Sequence, residues 1–108
     1  MNAVSAWWLL VLSGVLDVLW AVSTKYADGY TRPGWSLLSL ASLAGFVWLL
    51  GRALQALPLG TAYAVWTGIG AVGSVLLGAG LFGETLTPLR IGLILLVLGG
   101  IVGLKLTA

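Results

Sequence analysis

The chain has 108 residues, of which 60% are hydrophobic and only 7% charged, and its mean hydropathy is +1.11. No water-soluble domain of this size offers water so little polar surface, so the chain is expected to lie in a bilayer, with no length to spare for a soluble catalytic domain. Its net charge of +2 comes from five scattered basic residues, which form no patch for nucleic acid, while zero His and zero Cys exclude a His base and disulfides and argue against a metal site.

A membrane helix needs about 20 apolar residues, and four such segments fit. The first predicted span covers about residues 3–24, with Trp7 and Trp8 near its entry. No basic region precedes it, the apolar run is too long for a signal peptide, and three more spans follow, so it is expected to stay as a span. Lys25 to Gly34 form a polar turn with Tyr26 and Tyr30 as interfacial anchors. The second span covers about 35–54, and Pro58 and Gly60 punctuate the next turn. The third covers about 60–82, Gly83 to Thr87 form a short loop, and the fourth covers about 88–106.

Loops this short make successive helices antiparallel, so the fold class is an all-α integral membrane protein, one four-helix transmembrane domain over residues 1–108. Both termini then lie on one side. Lys25, Arg32 and Arg90 fall on the side of the first and third loops, and Arg52, Lys105 and the amino terminus on the other. Three positive groups face three, so the positive-inside rule sets no direction and the chain is expected to insert both ways.

Asp17 is the one acid inside a span. An ionised carboxylate at that depth costs at least ~2.5 kcal/mol, and such residues face a protein interior or a water-filled cavity rather than lipid. Desolvation favours the neutral acid, whereas a cation nearby favours the carboxylate. A single residue therefore holds either a proton or a cationic substrate, and competition between the two suffices for exchange.

Helical spacing puts Ser13, Gly14, Asp17, Trp20, Ala21 and Thr24 on one face of the first span, small, polar and acidic. Tyr63, Trp66, Thr67 and Gly70 share a face of the third. Aromatic faces beside an acid suit a flat organic cation: ring faces stabilise it by ~0.5–2 kcal/mol, and a carboxylate accepts two parallel hydrogen bonds from a guanidinium. Gly68, Gly70 and Gly73 lie mid-span in the third helix, as close-packing positions or as a bend that gives the helix two shapes. In the fourth, Gly92, Gly99, Gly100 and Gly103 form a smooth stripe suited to dimerisation.

Gly14-Val15-Leu16-Asp17-Val18-Leu19-Trp20-Ala21, Lys25 to Arg32, and Leu57 to Gly73 together resemble the small multidrug resistance family over the whole chain. Trp20 and the run Trp66-Thr67-Gly68-Ile69-Gly70 make the chain most similar to its guanidinium-exporter branch. The resemblance implies an antiparallel homodimer in the bacterial cytoplasmic (inner) membrane, with pairing to a paralogue as the alternative. It implies exchange of protons for a small organic cation by alternating access, the proton gradient as energy source and no cofactor. Asp17, Trp20, Tyr63, Trp66 and Gly14 are then the proton- and substrate-binding positions.

Two positions depart from the family pattern. The family's acid is Glu, here Asp17, and the branch has Ser where this chain has Phe46. Ser42, one turn earlier on the same face, is a candidate to supply the missing hydroxyl. These changes direct the expected preference towards substituted guanidines, with quaternary ammonium or polyamine export and a heteromeric subunit as alternatives. A proteolipid-like proton channel is the remote rival, and Tyr63 and Trp66 speak against it, because a proton-only site has no use for an aromatic cage. An enzyme lacks any nucleophile and base pair.

Overall fold

The computed structural model describes residues 2–107, and every regular element among them is an α-helix. These are α1 (Ala3–Tyr26), α2 (Pro33–Leu54), α3 (Leu59–Phe82) and α4 (Pro88–Thr107). All four are long and apolar enough to cross a bilayer.

The helix ends follow local chemistry. Asn2 caps α1, its side-chain oxygen accepting from the Ser5 N–H at 2.8 Å. α1 runs two residues past the expected end at 24, and Pro33 and Gly34, expected in the turn, are the first residues of α2. Proline suits that position because its fixed φ is helical and its missing N–H has no partner there anyway. α3 stops at Gly83, whose φ of +68° turns the chain left-handed and returns the Glu84 N–H to the Gly78 carbonyl at 3.2 Å. Pro88 opens α4, with the Thr87 hydroxyl accepting from the Arg90 N–H at 3.2 Å.

The helices form nearly one layer, 41 × 34 × 16 Å, in the spatial order α2, α1, α3, α4. α1 is central, with α2 on one side and α3 on the other. Each end of the layer is tied by charges. Lys25 bonds Glu84 at 3.1 Å and stands over the Phe82 ring at 4.5 Å, joining the end of α1 to the third loop; Lys105 stands over Trp7 at 5.5 Å at the opposite end. Ala6, Leu10, Ala53, Leu57, Ala62 and Val65 form a small core, against which Ile101 and Leu104 of α4 pack.

No described residue of α4 is buried. Methyl groups built on Gly92, Gly99, Gly100 and Gly103 would meet nothing within 4 Å, so this stripe is open on the isolated chain.

Candidate functional site

α1 meets α3 along a seam of glycines. Ile69 packs onto Gly14, Val18 onto Gly73, and between them Oδ2 of Asp17 lies directly against Gly70. Any side chain at Gly70 would collide with the carboxylate. Gly70 therefore makes room for the acid, while Gly68 seats Ile101 and Val97 of α4. Both were expected as bend positions; α3 is one continuous helix through them.

A row of rings runs along the turns next to the acid. Trp20 stands one turn beyond Asp17 on α1, and Trp66 one turn before Gly70 on α3. Phe46 of α2 lies between them, its ring centroid 5.8 Å from that of Trp20 and 5.5 Å from that of Trp66. Tyr63 extends the row, 5.7 Å from Trp66, and is 55% exposed. Phe46 is only 6% exposed, so it fills the interior of the site and does not face lipid. The indole nitrogens of both Trp20 and Trp66 are buried without a hydrogen-bond partner. Each is a donor in search of an acceptor, a role open to a carboxylate.

The face expected on α1 divides between two neighbours. Gly14 and Asp17 look to α3, whereas Ser13 looks to α2 and donates to the Phe46 carbonyl at 2.8 Å. Thr24 also turns to α2, its hydroxyl 2.6 Å from that of Ser39. Thr67, grouped with Tyr63, Trp66 and Gly70 by spacing, is exposed. Ser42 is buried, yet its hydroxyl donates to the Leu38 carbonyl of its own helix at 2.8 Å, and not to Asp17. In this chain it does not replace the hydroxyl absent at Phe46.

An acid half-sheltered beside a row of aromatic rings, without a fixed counter-cation in hydrogen-bonding contact among the described residues, has the chemistry of a cation site. The carboxylate supplies charge and paired acceptors, and the rings supply quadrupoles and flat apolar area.

Comparison with known proteins places this sequence in a family. The sequence profile of the Small Multidrug Resistance protein matches residues 5–98. A protein named Guanidinium exporter from Yersinia pseudotuberculosis serotype I (strain IP32953) is 50% identical over 103 residues, covering 95% of this chain and 99% of that protein. The Guanidinium exporter of Escherichia coli (strain K12) is 45% identical over 102 residues, covering 94% and 97%. That of Citrobacter freundii is 44% identical over 102 residues, with the same coverage. With the family profile matched over most of its length, four apolar helices and relatives similar from end to end, the chain belongs to the Small Multidrug Resistance family.

Proposed function

We propose that the protein is a multi-pass antiporter of the bacterial inner membrane that exports guanidinium or substituted guanidinium ions in exchange for protons. The observation that carries this is the placement of Asp17 against Gly70, with Trp20, Phe46, Trp66 and Tyr63 forming a row of rings on the adjoining helical turns. The similarity to proteins named Guanidinium exporter supports the substrate class.

Asp17 alternates between two occupants. Protonated, it is neutral and needs no counter-ion; deprotonated, it takes a cation whose planar N–H edge matches its two oxygens. Since one carboxylate serves both, binding of either expels the other, and the proton gradient drives the cation outwards. Trp20 and Trp66 hold the cation by their faces, and Phe46 adds apolar contact that rewards a substituent. Phe46 is the specific reason to favour alkyl- or aryl-guanidines over the bare ion.

Alternating access requires a second copy, because one layer of helices encloses no chamber. The balance of basic residues at the two ends and the open stripe of Gly92 and Gly99 on α4 support an antiparallel homodimer with that stripe as its contact. Gly14 keeps α1 close to Ile69 and so fixes the height of Asp17.

Purified protein in proteoliposomes should give solid-supported-membrane currents with guanidinium and alkylguanidines under a proton gradient. Currents with quaternary ammoniums or polyamines and none with any guanidine would move the protein to those substrate classes. Proton flux that needs no organic cation would make it a channel.

A further inference from the structure

The turn after α1 holds three successive residues in the left-handed region: Asp28 at φ +50°, Gly29 at +69° and Tyr30 at +65°. Glycine adopts this freely and Asp tolerates it, but Tyr does so only where its surroundings fix it, and such strain collects at gates and clamps. Here the bend folds the Tyr30 phenol back over the α1–α2 seam, 3.1 Å from the Ser39 hydroxyl. Ser39 is fully buried, and its oxygen lies 2.6 Å from that of Thr24. Three hydroxyls thus cross the seam in a row, from half-exposed Tyr30 to α1.

Their position relates them to the cation site. Thr24 lies one turn beyond Trp20 and two beyond Asp17, about 10 Å from the acid along the helix. The row therefore closes the loop end of the seam above the rings.

We propose that Tyr30, Ser39 and Thr24 form a latch over the loop-side mouth of the site, which opens when a cation passes between Asp17 and that side of the membrane. This rests on transport as the function. Three features suit a latch rather than a permanent clip. None of the groups is charged, so each bond is modest and reversible. Tyr30 is 49% exposed, so water replaces its partner as it swings away. Ser39, the buried member, keeps its bond to Thr24 when Tyr30 leaves, so opening strands no polar group.

The chain has no Cys, so Ser42→Cys, one turn below Ser39 on the same buried face, gives a single reporter beneath the latch. Tyr30→Phe keeps the ring and deletes one bond; Thr24→Val keeps the shape and deletes the other. Tyr30→Phe should raise the rate at which a water-soluble maleimide labels the reporter by about two- to tenfold, the population shift expected for one hydrogen bond, whereas Thr24→Val, which deletes a bond kept in both states and leaves Ser39 without a partner once Tyr30 swings away, should not raise it. In the native Ser42 background, Tyr30→Phe should speed guanidinium exchange by a similar factor with unchanged affinity. Labelling and exchange that both stay within error of the parent in Tyr30→Phe would overturn the latch. So would loss of thermal stability with unchanged labelling, since that is the behaviour of a static clip. Parent protein that exchanges no guanidinium would overturn transport itself, and the latch with it.

Discussion

Gly70→Ala tests the contact on which the site is built. The added methyl would lie 3.4 Å from Cγ of Asp17, an ordinary contact, but would collide with Oδ2. Only the carboxylate plane has to turn. That torsion is broad, so the cost to folding stays near the low end of the ~1–3 kcal/mol typical of overpacking. The cost to binding is larger and specific. A turned carboxylate no longer offers both oxygens to one guanidinium edge, and losing one charge-assisted hydrogen bond removes ~1.5–3 kcal/mol, about a 10- to 150-fold loss of affinity. Tetramethylammonium, which has no N–H to place, should lose much less. Titration by intrinsic tryptophan fluorescence measures both affinities, and size-exclusion chromatography reports assembly. Gly80→Ala, where a methyl meets open space, is the control. Guanidinium affinity within twofold of the parent, or equal losses for the two cations, would refute the placement of Asp17 against α3.

Asp17→Asn keeps the shape that rests on Gly70 but holds neither proton nor cation charge, so coupled transport should vanish while chromatographic behaviour is retained; surviving proton-driven flux contradicts the exchange mechanism. Phe46→Ser removes the ring between Trp20 and Trp66 and should shift relative transport, compared within one preparation, towards bare guanidinium over alkylguanidines. An unchanged ratio would mean that Phe46 packs the site without selecting its substrate. Carboxy-terminal tags should be reached by protease from both sides of the membrane; one-sided cleavage would require an oppositely inserted, different partner.

The helices were legible because each is an apolar run long enough to span a bilayer, and Asp17 because a charge in such a run stands alone. What faces what within the layer was less so. Spacing placed Ser13, Gly14, Asp17 and Thr24 on one side of α1, but a helix between two neighbours divides that side, and helix rotation decides the line: Asp17 to Gly70, Ser13 to the Phe46 carbonyl. Ser42 illustrates a second limit. A serine inside a helix has its own helix's carbonyl within reach, and nothing in the sequence says which acceptor wins. Tyr30 carried no signal beyond an interfacial aromatic, because its left-handed backbone is set by the turn and not by residue type. Ser39 read as one more small residue in an apolar span.

α4 stands against α3 and leaves its outer surface bare, while Asp17 and its rings are held by the three preceding helices. Under the proposed function, recognition of cargo and recognition of a companion chain are thus written in separate stretches of sequence. A duplicated gene could change the bare surface of α4 and acquire a new companion without disturbing the acid, or change Phe46 and acquire new cargo without losing the old one.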